Sequence, residues 1–183
     1  MQRAALLALT LATVLLTACA AMGTRYAEDP IGTAAVGAGQ ARLVVYRQAN
    51  TLQYSVREAR LELDGSAVGG LLPAGFRAFD VPAGPRRIVV DMWDAPGRCE
   101  LTAELQGATT HYFEVAPRLE SWLAGAPAVA APPVPAGGLV GGVMMMGSMA
   151  IESAGKACGG AFSIVAVDAA VARPRLADLR DSR

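Results

Sequence analysis

Ala59-Arg60-Leu61-Glu62-Leu63-Asp64-Gly65-Ser66-Ala67-Val68-Gly69-Gly70-Leu71 is the stretch on which the fold class turns. Ala59, Leu61 and Leu63 alternate with Arg60, Glu62 and Asp64, one face apolar and one charged, which is the period of a half-buried strand. Asp64-Gly65 is a tight-turn signal, because a type I′ turn holds its central residues at positive φ, where glycine meets no steric penalty. Ser66 to Leu71 is expected to return as the hairpin partner.

Outward from this hairpin the same grammar recurs. Arg42 to Arg47 (R-L-V-V-Y-R) is β-branched and aromatic, a good first strand. Phe76 to Val81 reads as a strand, Pro82-Ala83-Gly84-Pro85 as a turn, and Arg86 to Asp94 as the longest strand, ended by Pro96-Gly97. Cys99, Leu101, Ala103 and Leu105 share the next strand's apolar face, so Cys99 is expected to point at the core. Gly107 turns the chain into Thr109 to Val115, and Ala161 to Val167 is a final strand. Short strands divided by Gly and Pro turns predict an all-β fold, an antiparallel β-sandwich over residues 41–168. No strand–helix–strand rhythm is present, which disfavours a parallel sheet. Residues 169–183 read as a tail with a short surface helix after Pro174.

The first residues carry an address. Arg3 precedes an uncharged apolar run from Ala4 to Ala18, the charged and apolar regions of a secretory signal. Leu16-Thr17-Ala18-Cys19 matches the lipobox of bacterial lipoproteins, in which the cysteine thiol carries diacylglycerol. Residues 1–18 are therefore expected to be removed and Cys19 to anchor the chain to a membrane, with residues 19–40 a flexible tether. An ordinary signal peptide cut at an A-x-A site, or an uncleaved anchor, is the alternative. Ala20, in place of an aspartate, favours the outer membrane and a periplasm-facing domain.

Sixteen basic residues balance sixteen acidic ones, and losing Arg3 with the signal leaves a net charge near −1. No basic field exists to hold nucleic acid or anionic lipid. Of the three cysteines, Cys19 is spent on lipid, and Cys99 and Cys158 form an even pair in an oxidising compartment. One disulfide is the expected reading and two separate buried thiols the alternative. With one histidine and no C-x-x-C, neither a metal nor any other cofactor is expected.

Between Glu120 and Glu152 no charged residue occurs. Pro127, Pro132, Pro133 and Pro135 exclude a helix from the first half of this stretch. Gly137 with Gly141, and Gly138 with Gly142, are spaced as G-x-x-x-G, and Met144, Met145 and Met146 follow. In an apolar helix such spacing permits close approach to a partner, an envelope protein or a second copy of this chain. Ala136 to Ile151 as a helix would span about 24 Å, short of the roughly 30 Å hydrocarbon core. The competing readings are a Gly/Pro/Met-rich insertion at 118–157 packed on the sandwich, a self-association or partner surface, and membrane contact.

Catalytic constellations are absent from the pattern. His111 shares its strand face with Phe113 and Val115, which predicts a packed structural histidine. Ser121, Ser148, Ser153 and Ser163 lie in no G-x-S-x-G elbow. Asp91 and Asp94 fall on opposite faces at period two, and Gly69-Gly70 and Gly159-Gly160 lack the Lys and Ser/Thr of a phosphate loop.

Taken in order, R-L-V-V-Y-R, L-E-L-D-G-S-A-V-G-G-L, F-D-V-P-A-G-P-R-R-I-V-V and T-A-E-L-Q-G-A-T-T-H-Y-F-E-V resemble uncharacterised Gram-negative lipoproteins that carry a PEGA-like β-sandwich domain of unknown function. The resemblance covers residues 41–116 and 161–168 and rests on turn chemistry. Arg86 or Arg87 stands where that family often has a histidine. It implies a non-enzymatic sandwich and transfers no functional residue. Two functions are in view. One is a structural or interaction lipoprotein of the envelope. The other is a small-ligand carrier or sensor, binding glycan or lipid beside Trp93, Trp122 and the methionines.

Overall fold

A computed structural model describes residues 20–49, 54–118 and 158–183. Asp64 (φ 51°) and Gly65 (φ 85°) both take positive φ and close the hairpin of β2 (Ala59–Leu63) and β3 (Ser66–Leu71). A bulge between Leu61 and Glu62 makes Val68 the extra residue, beside Gly69 at φ 109°. The remaining strands are β1 (Gln40–Arg47), β4 (Gly75–Pro82), β5 (Gly84–Asp91), β6 (Arg98–Leu105), β7 (Thr110–Pro117), β8 (Phe162–Val167) and β9 (Arg180–Asp181). Two short helices accompany them, α1 (Pro30–Thr33) and α2 (Ala169–Leu176). Neither is long and apolar enough to cross a membrane.

The chain is an all-β sandwich. A five-stranded sheet, β8-β7-β1-β4-β9, packs on a four-stranded sheet, β3-β2-β5-β6. The first sheet is mixed rather than antiparallel, since β1 pairs parallel with β7 and β4 with β9. Strand direction reverses at each successive connection from β1 to β8, so all odd strands run one way. β1 and β7 are both odd and lie side by side, and their parallel crossover runs through the other sheet rather than through a helix.

Ala41, Leu43 and Val45 of β1 face Leu61, Ile88, Val90, Leu105, Phe113 and Phe162 between the sheets. Val44 and Tyr46, on the opposite face, are equally buried, in a second cluster with Tyr26, Phe76, Tyr112, Ala172, Leu176 and Leu179. A third layer therefore covers the outside of the first sheet.

That layer corrects two expectations. Residues 20–34 are not a free tether. The Ala21, Gly23 and Tyr26 amides donate to the carbonyls of Pro73, Asp181 and Leu179 at 3.1, 3.1 and 2.9 Å. Tyr26 meets the Phe76 ring edge-on at 5.1 Å, and Asp29 accepts the Ile31 amide at 2.9 Å to start α1. The domain likewise does not stop at 168. Helix α2 precedes the predicted position and runs through Pro174, because Ala172 and Leu176 are buried against the sheet. That packing outweighs the hydrogen bond that the proline removes.

Arg42 fastens the layer from below. Its guanidinium is paired with Asp80, its cross-strand neighbour, at 2.8 Å, and also donates to the Ala34 carbonyl at 2.6 Å. The Arg42 hydrogen bond holds the Asp80 carboxyl below its ordinary pKa. This pair thus adds stability above the unfolded carboxylate's pKa, and the contribution is lost as pH falls through the depressed folded value. Urea titrations across pH 2–6 should show a steeper acid loss for the wild type than for Asp80→Asn. Tyr26→Ala should cost about 3 kcal/mol in the same assay, whereas a tether residue would cost nothing.

Candidate functional site

Strand register brings buried Arg47 and the exposed Val56 and Trp93 to one end. Arg47 of β1 lies opposite Gly75 of β4, Pro117 of β7 lies opposite Phe162 of β8, and Asp91 of β5 lies opposite Arg98 of β6. Parallel pairing of β1 with β7 puts the β7–β8 connection at the same end as Arg47. The β1–β2 loop, the β3–β4 and β5–β6 turns, the N-terminal arm and both ends of the 119–157 segment therefore gather there. A disulfide between Cys99 and Cys158 joins the sheets across this end.

Arg47 is fully buried beneath it. Its two terminal nitrogens donate to the carbonyls of Arg57 and Tyr54, both at 2.5 Å, and its plane lies 4.7 Å from the centre of the Phe162 ring. Nε has no hydrogen-bond partner among the described residues. Burial lowers this arginine's pKa to about 10. The guanidinium thus organises the 54–57 loop by occupying its carbonyls, as a charge held in place by dipoles. Above it Val56 is 64% exposed and Trp93 63% exposed. Arg57 lies 5.8 Å from the Trp93 ring centre and pairs with Asp94 at 2.8 Å. On the opposite edge of the first sheet Met22 is 77% exposed, one residue beyond the seated Ala21.

Among the residues singled out from sequence, Cys99 and Cys158 are brought together. Cys19, Gly137, Gly138, Gly141, Gly142, Met144, Met145 and Met146 lie outside the described residues, as does Trp122. Asp91 and Asp94 are held by separate arginines, Arg60 at 2.7 Å and Arg57 at 2.8 Å. His111 is half-buried at the far end of β7, where Nε2 accepts the Gln106 amide at 2.9 Å. No group of three or more His, Cys, Asp or Glu among the described residues is arranged to hold a metal ion.

A second feature escaped the sequence reading. An open groove of about 830 Å³ lies between the N-terminal arm and α2, lined by Tyr26, Val36, Tyr112, Ala169 and Arg173. Burial, then a hydrogen bond shared with Tyr112, raises the Tyr26 phenol's pKa, and Arg173 Nε donates to the Tyr112 hydroxyl at 3.3 Å. Tyr26 and Arg173 stand in stretches that read as tether and tail, so no strand period marked them.

No protein-family model matches the chain, and no curated protein matches it either. The reading of function rests on the chain's own residues.

Arg47→Lys tests the loop-organising role. One ammonium cannot span both carbonyls with the arginine's planar fork, so stability should fall by about 1–3 kcal/mol. Exchange of the Arg57 amide, which donates to Tyr54 O at 3.0 Å, should quicken. Unchanged exchange would mean that the loop holds itself.

Proposed function

We propose that this chain is a lipid-anchored envelope lipoprotein of the outer membrane whose sandwich faces the periplasm and acts as a non-enzymatic interaction module. The observation that carries the reading is the junction at Cys19. Leu16-Thr17-Ala18-Cys19 closes the uncharged apolar run from Ala4 that follows Arg3, and Ala21, two residues further on, is seated on Pro73.

The interaction role is supported by the packed interior between the sheets and by apolar side chains collected at one end, Val56 and Trp93 beside Arg57. Trp and Arg are residue types on which protein contacts concentrate their binding energy. Envelope protein or a second copy of the chain is the partner in this reading, and the PEGA-like resemblance agrees with it. The arm–α2 groove favours a second reading, a carrier of a small amphiphile whose polar end meets Tyr112 and Arg173. Trp93 takes no part in that groove.

Metabolic labelling with radioactive palmitate tests the anchor. The wild type should incorporate label and sediment with outer membranes, and Cys19→Ala should do neither. Labelling that survives the substitution, or a mature mass without diacylglycerol, would overturn the lipoprotein reading.

A further inference from the structure

We propose that the anchored domain lies directly on the bilayer with its Val56–Trp93 end against the lipid headgroups, fixed in that attitude by the seated N-terminal arm. The inference rests on lipidation of Cys19.

Reach comes first. Ala21 is 4% exposed and its amide is bonded to Pro73 O at 3.1 Å, so only Ala20 separates the lipid-bearing residue from a fixed point on the domain. Two extended residues cover at most about 7 Å. The polar layer on each side of a bilayer is about 5–8 Å thick. A cysteine whose acyl chains are in the hydrocarbon therefore cannot hold this end far from the headgroups. The arm is also braced further along. Gly23 packs so closely on Asp181 that a Cβ there would fall 2.6 Å from the Asp181 carbonyl oxygen, and Ser182 Oγ accepts the Leu72 amide at 3.2 Å.

Surface chemistry agrees with that attitude. Of the large apolar side chains exposed among the described residues, Met22, Val56 and Trp93 belong to this end, Val165 is in β8, and Val171 is in the first turn of α2. The turns at 64–65, 82–84 and 106–109, at the opposite end, have none. Tryptophan is one of the side chains enriched at the membrane–water interface, and beside it Arg57 is paired with Asp94. The 119–157 segment also leaves and re-enters at this end, between Arg118 and Cys158, and is the rival cover for the same surface.

The test uses the full lipidated chain, reconstituted into vesicles of phosphatidylethanolamine and phosphatidylglycerol. The sequence has two tryptophans, so Trp122→Phe leaves Trp93 as the reporter. Lipids spin-labelled at the headgroup and high on the acyl chain should quench Trp93 emission to roughly half and shift it to shorter wavelength. A far-end reporter, Gln106→Trp with both native tryptophans changed to Phe, should be untouched. Cooperative unfolding of each variant is checked beforehand, and wild-type protein, in which Trp93 also emits, provides a reading without substitution. Equal quenching at both ends, or none at Trp93 while acylation is intact, overturns the proposed attitude. Quenching that appears only after deletion of residues 121–151 also overturns it and makes that segment the cover. Loss of acylation itself speaks against the lipoprotein reading instead, so the two failures are distinct.

Discussion

β1 is buried on both of its faces, and the rest of the molecule is arranged around that demand. From Ala41 to Arg47 every residue is buried. The second sheet covers the inward side, through Ala41, Leu43 and Val45, but it cannot reach Val44 and Tyr46. Leaving such side chains in water would forfeit about 1.5–3 kcal/mol each, a large fraction of a domain's net stability. The arm from Ala21 to Ala34 and helix α2 are therefore obligatory parts of the fold. Their seats on Pro73, Leu179 and Asp181 bind the two ends of the chain to each other. A lipid attached at Cys19 would inherit this rigidity, which is why the anchor's reach can be argued from packing alone.

Two arginines of the same strand illustrate how differently one charge can be used. Arg42 faces outward and meets a carboxylate, so burial and ion pairing offset each other and the arm is tied down as well. Arg47 faces inward at the strand's end and meets carbonyls and an aromatic face, with no carboxylate among its recorded bonds. Burial lowers its pKa. Such a residue orders a loop at the cost of desolvating its own charge. The ion pairs across the solvent face of the second sheet, Arg60 with Asp91 and Arg87 with Glu100, are exposed, and solvent screening leaves them little weight in stability.

How much of this was legible in the sequence follows from which forces are local. The Asp64-Gly65 hairpin, the inward side of Cys99 and the sandwich class are set by period two and turn stereochemistry, which a single chain displays. Parallel pairing of β1 with β7 was hidden because local pattern gives strand direction but not neighbours. The arm read as a tether because its small residues carry little apolar weight, and only Tyr26 betrays its seat on Phe76. Pro174 read as a helix boundary, although burial of Ala172 and Leu176 on either side of it carries the helix through. The apolar end was less legible still. Met22, Val56 and Trp93 stand in three unrelated stretches, each unremarkable alone, and only register places them on the same side of the molecule.

Register also decides what that end can transmit. In the first sheet β8 and β9 are the two outer strands, with β1 central. The arm is seated beside β9, whereas the 119–157 segment enters from β7 and returns through Cys158 ahead of β8. Lipid on Cys19, as proposed, and the insertion would thus act on opposite edges of one hydrogen-bonded sheet, at the same end. The insertion's stems are themselves braced. Arg118 N donates to Ala161 O at 2.9 Å and its guanidinium to Gly160 O at 3.0 Å. Gly160 approaches the Gly97–Arg98 backbone so closely that a Cβ would sit 2.8 Å from it. With Cys158 bonded to Cys99 as well, both stems are fixed to the sandwich rather than hinged. If Cys19 carries lipid as proposed, a partner gripping the insertion would be coupled to the bilayer through a rigid body, its orientation set by the fold rather than left free on a linker.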